Sequence, residues 1–137
     1  MKECISSPKA PEAIGPYSHG TKHGNLVFTS GQLPVCRELG GVVEGGISAQ
    51  SHQCLKNLQA VLEAGGSSLE GVLKTTCYLS DIEDFGAFNA VYAEYFGQDC
   101  PARSCFAVKD LPLGVLVEVE AVADSTSTNT NRPAKLF

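Results

Sequence analysis

The stretch Val72-Leu73-Lys74-Thr75-Thr76-Cys77-Tyr78-Leu79-Ser80-Asp81-Ile82-Glu83-Asp84-Phe85 passes from one backbone period to another. Its first eight residues are rich in β-branched and aromatic types and predict a strand. Asp81 then offers an N-cap, with the acidic Asp84 three positions on. From there Phe85, Phe88, Tyr92 and Tyr95 or Phe96 recur at helical spacing until Gly97 ends the pattern. Packing against a sheet accounts for that aromatic stripe without any cofactor. A strand feeding a helix in mid-chain sets the frame for the elements on either side.

Upstream, Leu55, Leu58 and Leu62 fall at helical spacing within residues 49–64, with Ser48 placed to cap the helix and Gly65-Gly66 to stop it. Residues 33–47 carry Pro34 and the glycines Gly40, Gly41, Gly45 and Gly46, which predicts a loop. Residues 25–30 follow a Gly-Asn turn and read as a strand, paired with residues 18–24 as a hairpin. Downstream, residues 102–108 and 115–123 predict two more strands joined through a Pro-Leu-Gly turn at Pro112 to Gly114. The order ββ-α-β-α-ββ implies an α+β fold, a mixed sheet with two helices on one face. The other face is then left to find a partner, and a second copy of the chain is the simplest one.

The chain of 137 residues suits one domain, expected over residues 1–123, with a polar and flexible tail over residues 124–137. Hydrophobic residues at 43% and charged residues at 18% are sufficient for a buried core and exclude a disordered or collagen-like chain. A net charge of −5 with no Lys/Arg cluster argues against a nucleic-acid partner, while leaving a single basic residue free to bind a small anion. The apolar runs are too short or too charged to span a membrane. Residues 1–15 contain nothing like a signal peptide, so the expected location is cytoplasmic and the thiols are expected to be reduced. The six cysteines show no CxxC and no zinc-finger spacing, and most read as small apolar fillers.

Period-two alternation places Arg103 and Cys105 on one face of their strand, and Glu118 and Glu120 on one face of theirs. If the two strands pair through the short turn, an arginine, a thiol and two carboxylates share one surface. One reading is a solvent-facing ion-pair ladder of little energetic weight. The other is an anion site, in which a guanidinium grips a carboxylate and a neighbouring glutamate handles protons or water. Cys105 is open to reading as a thiol activated by Arg103 or as an apolar filler. His19 and His23 stand four apart but between glycines and without a carboxylate, a poor metal pair, and His52 reads as a surface residue. No G-x-S-x-G, Walker-type or G-x-G-x-x-G motif occurs.

Several motifs together resemble one family. Ile14-Gly15-Pro16-Tyr17-Ser18, Asn25-Leu26-Val27-Phe28-Thr29-Ser30-Gly31-Gln32, and Asn57-Leu58 followed by Val61-Leu62-Glu63-Ala64-Gly65-Gly66 are similar to the RidA family of imine/enamine deaminases. Pro101-Ala102-Arg103-Ser104-Cys105, Leu111-Pro112 and Val117-Glu118-Val119-Glu120-Ala121 resemble its C-terminal signature. His19-Gly20 departs from the glutamine-alanine usual there, and the tail runs past the usual family end. The resemblance implies a chorismate-mutase-like α+β subunit in a homotrimer with clefts between subunits. It implies cofactor-free hydrolysis of reactive 2-imino acids or enamines, such as 2-aminoacrylate, 2-iminobutanoate and 2-iminopropanoate, to 2-keto acids and ammonia. Arg103 falls at the carboxylate-binding position, Glu118 at that of the catalytic water, and Tyr17, Ser30, Gly31, Asn89 and Cys105 at cleft-lining positions. The alternatives are an RNA-acting protein, since parts of the family carry endoribonuclease or translation-inhibitor labels, and a non-catalytic trimeric metabolite binder.

Overall fold

In a computed structural model, which describes residues 1–125, the chain opens with three antiparallel strands, β1 (Glu3–Ile5), β2 (Gly20–His23) and β3 (Leu26–Thr29). Gly24, at φ +60°, makes the tight β2–β3 turn that a Cβ would disfavour. The glycine-rich stretch expected as a loop carries a two-stranded ribbon, β4 (Val35–Cys36) and β5 (Gly41–Val42). Runs this short lack the alternation by which strands are recognised in a sequence.

Helix α1 (Gly46–Ala64) starts ahead of Ser48, which therefore lies inside the helix. The entry residue is Gly45 at φ +115°, with no side-chain cap, so two left-handed glycines and not a hydroxyl turn the chain into the helix. At its other end Gly66, at φ +84°, lets Ser67 N–H donate to Leu62 O at 2.8 Å, closing the last turn. Strand β6 (Val72–Leu79) occupies the expected residues. Asp81 accepts a hydrogen bond from Glu83 N at 2.9 Å and starts a short 3₁₀ turn that runs into helix α2 (Phe85–Tyr95). Strands β7 (Ala102–Ala107) and β8 (Val117–Asp124) complete the set.

The six-stranded sheet has the order β1-β2-β3-β8-β6-β7, with β6 and β7 parallel and the other pairs antiparallel. β7 and β8 do not pair through the turn that separates them, because β6 lies between the two strands. β6, α2 and β7 instead make a crossover unit, and a parallel pair needs that intervening helix. The Pro112–Gly114 turn, with Leu113 at φ +61°, belongs to a longer connection that carries the chain past β6.

Both helices cover one face, where Val27, Leu55, Leu58, Val61, Leu62, Cys77, Leu79, Phe88, Val117 and Val119 are fully buried. The opposite face bears Phe28, Tyr78, Phe106, Glu118 and Glu120, with Phe28 and Phe106 40% and 45% exposed. Asp124 and Ser125, expected in the tail, are tied to the sheet, Asp124 pairing with Leu26 and Ser125 N donating to Asn25 O at 2.8 Å, and residues 126–137 lie outside those described.

Candidate active site

Register settles how the predicted site residues relate. Arg103 pairs with Thr75 and Cys105 with Cys77, while Thr75 and Cys77 pair on their other side with Ala121 and Val119. Arg103 and Cys105 therefore face the helices. Glu118 and Glu120 sit opposite Tyr78 and Thr76, on the uncovered face. The condition under which arginine, thiol and carboxylates would share one surface, direct pairing of β7 with β8, is thus not met: β6 intervenes, and its alternation sends the two sets to opposite sides. The ion-pair ladder fails with it. Arg103 enters no ion pair among the described residues.

On the helix side, Arg103 Nη1 donates to Asn89 Oδ1 at 2.8 Å. The guanidinium lies 4.7 Å over the Tyr92 ring and 5.5 Å from that of Phe85, in cation–π contact with both. Tyr92 is anchored from below by a 2.7 Å hydrogen bond between its hydroxyl and the buried Thr75. Phe85, Asn89 and Tyr92 fall on one face of α2 at helical spacing. The sequence reading assigned the aromatic stripe wholly to the core. Phe88, Tyr92 and Phe96 are buried, but Phe85 and the Tyr92 ring also hold the arginine, a role its partner across the crossover could not reveal in advance.

On the other side, Glu118 borders an open cleft of about 300 Å³ with Ile14, Tyr17, Ser30, Gly31, Leu33 and Pro112. Between the pairs Phe28–Val122 and Gln32–Val119, the chain leaving β3 contains one residue more than β8. This bulge brings Ser30 and Gly31 to Glu118. A Cβ on Gly31 would sit 2.8 Å from the Glu118 carboxyl carbon, so a larger residue there would push the Glu118 side chain aside. Burial raises the Glu118 pKa above the usual carboxylate range, and the charge of Glu120 adds to the effect. Ser30 Oγ donates to Ser18 O at 2.6 Å, leaving its lone pairs as acceptors. Tyr17 Oη accepts from Ile14 N at 3.2 Å, leaving its own proton to donate.

The candidate residues thus fall into two groups: Asn89, Arg103 and Cys105 on one face, and Tyr17, Ser30, Gly31 and Glu118 on the other. His19 is committed elsewhere, its Nδ1 accepting from Ser7 N at 2.9 Å and its Nε2 lying 2.8 Å from Pro11 O. His52, read as a surface residue, is half-buried, with Nδ1 3.0 Å from the Tyr95 hydroxyl.

A mixed sheet with two helices on one face defines a class of small α+β proteins, and the family model described as Endoribonuclease L-PSP matches residues 7–125. The chain belongs to this family, the RidA family of reactive-intermediate deaminases. It is 50% identical over 123 residues to a RutC family protein of Pyrococcus horikoshii, covering 90% of this chain and 98% of the relative. It is 43% identical over 126 residues to the 2-iminobutanoate/2-iminopropanoate deaminase of Salmonella typhimurium, covering 90% and 98%. The crystal structure of Escherichia coli TdcF with bound serine superposes with a TM-score of 0.85 at 38% identity, covering 89% of this chain and 98% of that one. No helix among the described residues is long and apolar enough to cross a membrane.

Proposed function

We propose that this protein hydrolyses short 2-imino acids, 2-iminobutanoate and 2-iminopropanoate with its enamine tautomer 2-aminoacrylate, to 2-keto acids and ammonia. The observation that carries the reading is the Arg103 guanidinium, held by Asn89 and the Tyr92 ring yet drawn into no ion pair among the described residues. Such a group is preorganised to take a carboxylate through paired donors. The Salmonella relative's name and the serine bound to TdcF fit a small amino-acid-like ligand.

Arg103 fixes the substrate by its carboxylate, turning a solution encounter into a positioned one. Glu118 accepts a proton from water as the oxygen attacks the C=N carbon, and the tetrahedral carbinolamine then expels ammonia. The Tyr17 hydroxyl donates to the developing charge, while Ser30 accepts from the water or the leaving nitrogen. No electrons change hands, so the route calls for no redox group.

Arg103 and Glu118 leave opposite faces of the sheet, so they meet only across a contact between copies of the chain. The exposed Phe28 and Phe106 on the uncovered face supply apolar surface for that contact, and a closed homotrimer is the assembly proposed. The location proposed is cytoplasmic.

The test generates 2-iminobutanoate in situ with a threonine dehydratase and follows keto-acid release against semicarbazide trapping. Removing charge-assisted hydrogen bonds of about 1.5–3 kcal/mol each from Arg103 should lower kcat/KM of Arg103→Ala at least about a hundredfold. Equal rates for parent and variant would overturn the proposal.

A further inference from the structure

Cys77 and Cys105 are direct register partners in the parallel β6–β7 ladder. Adjacent strands lie about 4.8 Å apart, inside the span of roughly 4.4–6.8 Å between Cα atoms that a disulfide bridges. Both side chains leave the helix-facing surface, one step along from the Thr75–Arg103 pair. The other cysteines belong to other elements, Cys4 on β1, Cys36 on β4, Cys54 on α1 and Cys100 ahead of β7, none of them a register partner of this pair, and all six are free thiols.

The two members of the pair differ in kind. Cys77 is fully buried on an inner strand. Cys105 is half-buried on the edge strand, and the Arg103 guanidinium reaches it electrostatically. The adjacent Cys77 thiol lowers the Cys105 pKa to about 7 against the opposing effect of burial, with Arg103 assisting, while Cys77 Sγ itself lies 3.8 Å from Thr75 Oγ1. The same contact holds Cys77 as the protonated thiol. One reachable thiol with thiolate character beside one sheltered thiol is the arrangement of an attacking and a resolving cysteine.

We propose that Cys105 is an oxidation site for hydroperoxides and Cys77 its resolving partner, the two closing into a reversible intrachain disulfide. The Cys105 thiolate attacks one oxygen of hydrogen peroxide; the O–O bond breaks, the sulfur is oxidised to a sulfenic acid, and hydroxide leaves. The Cys77 sulfur then attacks the sulfenic sulfur; its proton and the departing hydroxyl form water as the S–S bond forms. A dithiol reductant reverses the change. Because β7 is an edge strand paired only with β6, it is free to follow its sulfur. Arg103, two residues away, is then drawn off its 2.8 Å contact with Asn89. That consequence rests on the deaminase reading; the disulfide itself does not.

The experiment treats reduced full-length protein with hydrogen peroxide, alkylates it, and reads intact mass and a non-reduced peptide map. After alkylation of the unfolded protein, the expected result is two alkyl groups fewer than the reduced control takes up on its six cysteines, and a cross-linked peptide joining Cys77 to Cys105, both reversed by dithiothreitol. The near-isosteric Cys77→Val should yield no such cross-link; its Cys105, oxidised more slowly without the Cys77 thiol beside it, should accumulate as a sulfenic acid trappable by dimedone and then pass to acids that dithiothreitol does not reduce. A map in which the exposed Cys4 or Cys100 is oxidised while Cys105 remains a thiol, or bridges elsewhere, would overturn the proposal. Cross-link formation in a protein whose reduced form shows no deaminase activity would leave this proposal standing and remove the deaminase reading. If both hold, keto-acid release falls with the cross-link and returns with dithiothreitol, while reduced Cys77→Val keeps parental activity.

Discussion

Glu118 is held in a state that costs stability, and under the proposed reaction the same group is the base. Its carboxyl is half-buried against Gly31 and repelled by Glu120, and its pKa is raised. A base works only when deprotonated, so the acid limb of the deaminase pH profile should lie above the ordinary carboxylate range and be lost in Glu118→Gln. Between the ordinary value and the raised one, the folded protein retains a proton that the unfolded chain releases. Stability therefore falls as pH rises through that window, and the penalty persists at neutral pH. Glu118→Gln removes the buried charge, so it should raise the melting temperature at pH 7 while depressing kcat. Calorimetry and keto-acid assays on the same preparation check the pair; a lower melting temperature would contradict the assigned burial cost. Arg103 shows the complementary limit of sequence reading. Its residue type and neighbouring motif marked it as a candidate anion-binding side chain, but the rings of Phe85 and Tyr92 beside it come from a different element, so no local spacing linked them to it.

At the scale of elements, strands and helices were readable wherever the pattern was long. The period-two alternation of Val117, Val119 and Ala121 against Glu118 and Glu120 marks a strand with one covered face, and β6 falls on the expected residues. What alternation does not encode is which strand lies beside which: the β6–α2–β7 crossover inserts β6 between strands that a short turn seemed to join. The start of α1 was missed for a related reason, since two glycines at positive φ do what a capping hydroxyl usually does. Asn57 exerts its effect between elements. Lying on α1 and 2% exposed, it donates from Nδ2 to Leu33 O at 2.8 Å and to Val35 O at 2.9 Å, tying the chain beside the Glu118 cleft to the helix. Asn57→Ala leaves both carbonyls without that donor and should cost about 2 kcal/mol in urea denaturation. Because Leu33 lines the cleft, KM should rise as well. An unchanged denaturation midpoint would show that the ribbon does not depend on this side chain.

At the scale of the whole molecule, the division of Arg103 and Glu118 between two faces has a consequence independent of any particular substrate. If a competent cleft takes Arg103 from one copy and Glu118 from the next, either single variant inactivates every cleft in its own assembly. Mixed assemblies behave differently. A contact between an Arg103→Ala copy and a Glu118→Ala copy, in the orientation that pairs the intact arginine with the intact glutamate, rebuilds a complete site. The same contact in the other orientation places both defects in one cleft. Equal amounts of the two variants, unfolded together and refolded so that copies assort at random, should therefore recover about a quarter of parental activity in a closed ring. The variants refolded separately and mixed without exchange should recover none. Light scattering on the same samples should give the mass of three chains for the parent and the mixture alike. If co-refolded assemblies of that mass remain inactive, both groups belong to one copy's cleft, and the proposed inter-subunit site is wrong even though the arginine and the glutamate each matter. The uncovered face of the sheet would then need a different explanation for the exposed rings of Phe28 and Phe106.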